Sequence, residues 1–172
     1  EEKGQLKPGM VLLEGTTGNT GIAVAMVGAA KGYHVIIVMP EGMSEERKKT
    51  ISAYGAELVL TPGAETDVDL VLEEVEKIKE RLGDKVFEIG QFVRQENILA
   101  HYKHTGPEIW EQTEGQIDAF VMNQGTGGTV TGTAKYLKQM NPEIKVFISE
   151  PAESPILACG KIGKHHVQGI AD

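Results

Sequence analysis

Short apolar segments alternate with helical patterns along the chain, and this alternation limits the possible folds more than any other feature of the sequence. The segments with strand character are residues 10–13, 35–39, 57–61, 86–89, 119–122 and 146–149. Residues 67–81 carry apolar side chains at helical spacing, and Ser44 is expected to cap a helix that starts with Glu45 and Glu46. Strands that are joined by helices pair in parallel, and the helices cover both faces of the sheet. The sequence therefore predicts an α/β protein with parallel, helix-covered sheets.

A polar segment, residues 90–97, interrupts the alternation. We expect a boundary between two lobes there, with residues 1–92 in the first lobe and residues 93–172 in the second. The region after residue 150 has few apolar runs and is expected to be rich in loops.

Charge and composition argue against several classes of partner. The net charge of −8 and the lack of any basic run disfavour nucleic acid or an anionic membrane. No apolar stretch reaches the length of a membrane span, and the charged start of the chain is unlike a signal peptide. Cys159 is the only cysteine, so no disulfide can form within the chain, which fits a cytoplasmic protein. The histidines lack the spacing of metal ligands, and no metal site is predicted.

Two glycine-rich turns each follow a predicted strand and lead into a helix. The first turn spans residues 15–21 and precedes a helix expected at residues 22–30. The second turn spans residues 125–129 and precedes a helix expected at residues 131–140. Backbone N–H groups and the positive end of the dipole at a helix N-terminus bind anions. The two turns therefore predict a ligand with two separated negative groups.

Two other interpretations of the first turn remain open on these grounds. Glycine at a strand-to-helix junction can serve geometry alone, with Asn19 as a left-handed turn residue. The pattern G-x-x-G-x-x-G at residues 15–21, with Glu41 after the next strand, also resembles a dinucleotide site. Its spacing differs from G-x-G-x-x-G, and the polar Asn19 and Thr20 stand where that fingerprint needs close approach to a pyrophosphate. Dinucleotide binding is the weaker interpretation.

Five motifs occur in the order and spacing of a known family. They are T-T-G-N-T-G at residues 16–21, M-P-E-G-M-S-E-E-R at 39–47, Y-G-A-E-L-V-L-T-P at 54–62, T-G-P-E-I-W at 105–110 and G-T-G-G-T at 125–129. The chain resembles the β-family (fold-type II) of pyridoxal-phosphate enzymes, specifically the cysteine synthases (O-acetylserine sulfhydrylases) and the related cystathionine β-synthases. The resemblance implies the two-lobe, tryptophan-synthase-β-like fold, with residues 1–92 as the smaller lobe and residues 93–172 as part of the larger one.

The resemblance implies pyridoxal 5′-phosphate as the cofactor. The second turn would hold its 5′-phosphate, and Asn19 would bond to its 3′-oxygen. The implied phosphate ligands are Gly125, Thr126, Gly127, Gly128 and Thr129.

The resemblance also implies that the first turn binds the α-carboxylate of an amino-acid substrate. Hydroxyl and N–H donors would offset the desolvation of that carboxylate. The implied substrate residues are Thr16, Thr17, Gly18 and Thr20 of the turn, Gln91, which completes the pocket, and Gly169, in a loop over the cofactor ring.

Besides Thr17, which replaces the family's usual serine but keeps its hydroxyl, the chain departs from the family pattern at residues 123, 124 and 171. Asn123 and Gln124 replace small apolar residues just before the second turn, and Ala171 stands where glycine is usual. No lysine has the S-x-K context of the family's cofactor-binding lysine, so we expect no catalytic residue within this chain. We also expect the chain to be the middle of a longer enzyme, inactive by itself.

The implied activity is pyridoxal-phosphate-dependent β-replacement, which forms cysteine from an O-activated serine and sulfide in a cytoplasmic homodimer. The alternatives are an activity like that of cystathionine β-synthase, a serine/threonine dehydratase, and a non-catalytic module that kept the fold. The motifs at residues 39–47 and 105–110 favour the synthase branch.

Overall fold

A computed structural model describes residues 1–64, 68–165, 167 and 169–170. The chain divides into two compact units, Glu1–Gln91 and Phe92–Asp172. No helix of the described residues is long and apolar enough to cross a membrane.

The first unit is built on a four-stranded parallel sheet. Its strands are β1 (Val11–Gly15), β2 (His34–Pro40), β3 (Glu57–Thr61) and β4 (Val86–Glu88), in the spatial order β3-β2-β1-β4. The connecting helices are α1 (Asn19–Lys31), α2 (Glu45–Ala53) and α3 (Val68–Leu82), and a short 3₁₀ helix, Gly83–Lys85, precedes β4. From β1 the chain moves outward to β2 and β3, and it then returns to place β4 on the other side of β1. The carboxyl ends of β1 and β4 therefore flank a topological switch point, where ligands of open α/β sheets bind.

Both faces of this sheet are covered, as the apolar strands require. On one face Leu12 and Ile37 pack with Ala25 of α1 and Ile51 of α2. On the other face Leu13, Ile36 and Val38 pack with residues of α3, which are Val71, Val75 and Ile78. A strand buried on both faces is apolar at successive positions, and β2 has this composition from Val35 to Met39.

The second unit combines a helical segment with a two-stranded parallel sheet. Its helices are α4 (Gln95–Ala100), α5 (Gly106–Gln112), α6 (Gly128–Met140) and the short α7 (Ile156–Cys159). A π-helical turn, His101–Thr105, joins α4 to α5. The strands are β5 (Ala119–Asn123) and β6 (Lys145–Ser149), which pair in register from Ala119–Lys145 to Asn123–Ser149.

The expected parallel α/β architecture is confirmed, and the ends of the predicted strands lie within two residues of the observed ones. The helix after each turn begins earlier than expected: α1 starts at Asn19 and not at residue 22, and α6 starts at Gly128 and not at residue 131. A glycine precedes each helix in a conformation that other residues rarely adopt, which allows the helix to begin at once. The interpretation of Asn19 as a left-handed turn residue is wrong, because Asn19 is the first residue of α1. The prediction for Ser44 is confirmed, since its hydroxyl accepts a hydrogen bond from the Arg47 N–H at 3.4 Å.

Candidate functional site

The first turn exposes the N-terminus of α1. Gly18 caps the helix with φ 158° and ψ −72°, and no side chain bonds to the helix end. Helix geometry leaves the first N–H groups, from Asn19 to Gly21, without intrahelical partners, and the first turn of α1 contains no acidic residue. The dipole and these donors together favour an anion at this position.

Two side chains hold the shape of the first turn. The Thr16 hydroxyl oxygen, which is buried, accepts a hydrogen bond from the Gly18 N–H at 3.1 Å. Arg47 donates from Nη1 to the Thr17 carbonyl at 3.4 Å. A Cβ at Gly18 would lie 2.6 Å from Cδ of Arg47, so Arg47 packs directly on the backbone of the turn. Helix α2, which begins within the motif at residues 39–47, therefore supports the first turn.

The fold brings Thr20 and Gln91 together across 71 positions of sequence. The Thr20 hydroxyl donates to Oε1 of Gln91 at 2.6 Å. Thr20 follows β1 and Gln91 follows β4, and these two strands are neighbours at the switch point. Two of the residues implied to bind the substrate thus share one location within the first unit.

Glu14 lies beneath this pair, at the end of β1. It is only 1% exposed, and its Oε2 accepts a hydrogen bond from the Gly90 N–H at 2.8 Å. Desolvation raises the pKa of Glu14 to about 7, although hydrogen bonds from the Gly90 N–H, the Gln91 N–H and the Gln91 side chain act to lower it. The charge of Glu88 on β4 raises the pKa further.

The second turn presents a second helix N-terminus. Gly127 caps α6 with φ 78° and ψ −5°, without a side-chain cap, and the first turn of the helix has no acidic residue. The Gly128 N–H reaches Oγ1 of Thr126 at 3.4 Å, near the limit for a hydrogen bond. The first N–H groups of α6 have no intrahelical partner. This end of α6 therefore offers donors and a positive dipole, as the first turn does.

Side chains from the preceding helical segment support the second turn. Asn97 donates to Oγ1 of Thr126 at 2.8 Å, and Nε2 of His101 lies 3.1 Å from Oγ1 of Thr129. Nδ1 of His101 lies 3.0 Å from Oγ1 of Thr105, at the two ends of the π-helical turn. The two threonine hydroxyls are thus held in place by side chains about thirty positions earlier in the sequence.

The sequence also singled out Gly169, Asn123, Gln124 and Ala171. Gly169 lies beside the second turn, because a Cβ on Gly125 would be 2.6 Å from the Gly169 carbonyl oxygen. The side-chain Oδ1 of Asn123 accepts a hydrogen bond from the hydroxyl of Ser149, its partner on β6. Ala171 is outside the described residues.

Sequence reasoning missed Glu14, Arg47, Asn97 and His101 as partners of the two turns. A carboxylate that ends an apolar strand is a signal that could have pointed to Glu14, since a charge there needs a special environment. His101 was weighed only as a metal ligand. Among the described residues no group of three or more His, Cys, Asp or Glu side chains could hold a metal ion.

The chain belongs to a family of pyridoxal-phosphate enzymes. A family model described as "Pyridoxal-phosphate dependent enzyme" matches residues 1–172. Pyridoxal phosphate is the cofactor of this family, and the match disfavours a dinucleotide site.

The relatives narrow the similarity to one branch of the family. Cysteine synthases from Staphylococcus aureus, for example those of strains Mu50 and N315, are 46% identical to the chain over 171 residues, which are 99% of this chain and 54% of theirs. The chain therefore spans about half the length of the curated relatives it matches. The resemblance to cysteine synthases is thereby confirmed.

Solved structures agree in fold. A cysteine synthase from Entamoeba histolytica has a TM-score of 0.93 at 44% identity over 99% of this chain and 50% of that one. A hydrogen sulfide-producing enzyme from Fusobacterium nucleatum has a TM-score of 0.93 at 43% identity, over 98% of this chain and 56% of that one. The expected fold of the family is confirmed.

Proposed function

We propose that this chain belongs to an enzyme that forms cysteine from an O-activated serine and sulfide, and that its two turns bind the cofactor and the substrate. The observation that carries the proposal is the pair of helix N-termini at Gly18 and Gly127, which lie in the motifs of the cysteine synthases. The broader conclusion, that the chain is part of a pyridoxal-phosphate enzyme that acts on a small amino acid, follows from its membership of the family.

The second turn fits the 5′-phosphate of the cofactor. The start of α6 supplies N–H donors, only Oγ1 of Thr131 lies within 4 Å of a Cβ position on Gly127, at 3.9 Å, and no acidic residue in the first helical turn opposes a dianion. We assign the phosphate to Gly125, Thr126, Gly127, Gly128 and Thr129, and the 3′-oxygen to Asn19, which is exposed at the start of α1. Pyridoxal phosphate, when bound, supplies the electron-withdrawing ring that stabilises negative charge on the α-carbon of an amino acid.

The first turn fits the substrate α-carboxylate. Thr17 and Thr20 would supply donors at the N-terminus of α1, while Thr16 closes the turn by accepting from the Gly18 N–H. Gly18 would contribute the close approach of its backbone and not a donor. Gln91 joins this group through its bond to Thr20. We also assign Gly169 to the substrate side, and the resemblance alone supports this assignment.

Two related activities and one non-catalytic role are alternatives to this proposal. Cystathionine formation differs in the acceptor thiol, serine or threonine dehydration needs no acceptor, and a non-catalytic module would bind the cofactor without turnover. The 46% identity to cysteine synthases favours cysteine formation. Cystathionine formation remains an alternative, because an O-acetylserine dependent cystathionine β-synthase from Helicobacter pylori is similar in structure at 33% identity. Product analysis separates them: cysteine from O-acetylserine and sulfide is expected, and pyruvate alone or cystathionine alone would contradict the proposal.

Thr20→Val is expected to weaken amino-acid binding without loss of cofactor. Valine keeps the shape of threonine and removes only the hydroxyl, whose hydrogen bond to Oε1 of Gln91 orients the amide that would donate to the carboxylate. Loss of one hydrogen bond to a charged group corresponds to about a tenfold rise in KM for O-acetylserine. Steady-state kinetics and the visible absorbance of the bound cofactor measure the two effects on the intact enzyme. Thr50→Val is the matched control, because the Thr50 hydroxyl bonds within its own helix, to the Glu46 carbonyl at 2.8 Å. An unchanged KM, or loss of cofactor in place of substrate affinity, would show that the first turn is misassigned.

We propose further that the lysine that bonds covalently to the cofactor is none of the lysines in this chain. Several of them lie on helix surfaces with partners: Lys48 bonds to Glu45 and to the Glu41 carbonyl, Lys77 pairs with Glu74, and Lys79 pairs with Glu76 and Glu88. Borohydride reduction of the intact enzyme with its cofactor, followed by peptide mapping, tests this. The labelled peptide should lie outside residues 1–172, and stoichiometric label on any lysine within them would refute the assignment.

The lobe roles and the assembly are also proposals. We assign residues 1–92 to the smaller lobe and residues 93–172 to part of the larger one, and we expect a cytoplasmic homodimer. The family resemblance supports each of these, and size-exclusion chromatography with light scattering tests the dimer.

A further inference from the structure

We propose that Glu14 positions Gln91 for the substrate, by fixing which end of the Gln91 amide faces Thr20. The inference rests on the proposed function, because it assumes that Gln91 and Thr20 bind the amino-acid carboxylate. It adds a residue that belongs to none of the sequence motifs assigned to cofactor or substrate.

The contacts of Glu14 converge on a single short segment. Its carboxylate accepts hydrogen bonds from the Gly90 N–H at 2.8 Å, from the Gln91 N–H and from the Gln91 side-chain amide. Gly90 has φ 63°, so the chain turns sharply after β4, and the carboxylate bonds to this turn from the neighbouring strand. Glu14 thereby ties the end of β1 to the start of the segment that carries Gln91.

The orientation of the Gln91 amide follows from these partners. An amide has a donor end and an acceptor end, whereas the Thr20 hydroxyl can serve in either role. An ionised carboxylate only accepts, so the NH₂ group of Gln91 must face Glu14. Oε1 of Gln91 is then directed to Thr20, whose hydroxyl donates to it at 2.6 Å. The NH₂ group has two hydrogens, so the one that does not bond to Glu14 remains to donate to the substrate carboxylate. Without an acceptor at residue 14, the amide could adopt the opposite orientation, and this donor would no longer be held in place.

The burial of Glu14 argues against a purely structural role. The side chain is 1% exposed and shares its sheet face with Leu12 and Ile37, so an apolar residue there would avoid the cost of desolvating a carboxyl group. A buried acid at the carboxyl end of a strand, next to a candidate ligand site, is typical of functional positions.

The test compares Glu14→Gln with the wild-type enzyme at pH 8. Glutamine keeps the shape and can still accept from a backbone N–H, but it presents a donor where Gln91 needs an acceptor. We expect about a tenfold rise in KM for O-acetylserine, kcat within about twofold, and unchanged cofactor affinity. Ile78→Val is the control for general destabilisation, since Ile78 lies on the opposite face of the sheet, and it should leave KM unchanged.

A double-mutant cycle tests whether Glu14 acts through Gln91. In a Gln91→Ala background, Glu14→Gln should have no further effect on KM. A wild-type KM in Glu14→Gln, full additivity in the cycle, or an equal rise in KM for Ile78→Val would each overturn the proposal.

Nuclear magnetic resonance of the intact enzyme gives a readout that needs no activity. The side-chain amide signals of Gln91 and the backbone signal of Gly90 should shift in Glu14→Gln and stay in place in Ile78→Val. If the wild-type enzyme fails to bind O-acetylserine while these signals shift, the proposed function fails and the Glu14–Gln91 link stands. If the Gln91 signals do not respond, the link itself is refuted.

Discussion

Gly127→Asp is expected to lower the affinity for pyridoxal phosphate about a hundredfold, the equivalent of about 3 kcal/mol. Gly127 is the left-handed residue at the start of α6, and a Cβ there would approach only Oγ1 of Thr131, at 3.9 Å. The substitution therefore fits sterically, and aspartate tolerates this backbone conformation better than most residues. Under the proposed assignment, the loss of affinity comes from a negative charge beside a phosphate dianion. Titration with the cofactor, followed by absorbance or fluorescence, measures the loss.

Gly127→Asn is the matched control, because asparagine has the same shape and the same tolerance of positive φ without the charge. Its cofactor affinity should fall much less than that of Gly127→Asp. The thermal stability of the chain without cofactor should be retained in Gly127→Asp, since an acid at a helix N-terminus interacts favourably with the dipole. Equal losses of affinity in the two variants would mean that no phosphate binds at the second turn.

The stability of the chain is expected to fall as the pH rises, because of Glu14. Its pKa in the folded state, about 7, lies above the ordinary value of 4.5. The contribution of Glu14 is thus fully present below pH 4.5 and is lost as the pH rises through 7, because ionisation is costlier in the folded state. Between about pH 5.5 and pH 8 the free energy of unfolding should decrease by about 2 kcal/mol from this group alone.

Denaturant unfolding at several pH values, with Glu14→Gln as the comparison, isolates this contribution. The variant cannot ionise at residue 14, so the difference in stability between variant and wild type should grow with pH. Glu88→Gln is a useful control, since it keeps the buried acid and removes the neighbouring charge; most of the pH dependence should persist. Parallel curves for Glu14→Gln and wild type would contradict the raised pKa.

The elements of this fold could be predicted from the sequence because their signals are local. The apolar run of β2, the helical spacing in α3 and the serine cap of α2 each depend on residues within a few positions of one another. The chemistry of the two turns is local as well, since glycine and threonine at a helix start supply the donors directly. The early starts of α1 and α6 were missed because they depend on the backbone conformations of Gly18 and Gly127, which the residue type permits but does not impose.

The sequence by itself determined the alternation of strands and helices, the family, and the two turns that we assign to substrate and cofactor. Only the tertiary structure decided that Thr20 meets Gln91 and that Glu14 is buried against Gly90, 76 positions away. These contacts follow from the strand order, which places β4 beside β1, and no local pattern in either strand encodes that neighbour. The same holds for His101 and Thr129, which meet only because α4 and the π-helical turn pack on α6. Periodicity and capping are set by forces within one element, whereas the environment of a buried carboxylate is set by whichever elements pack around it.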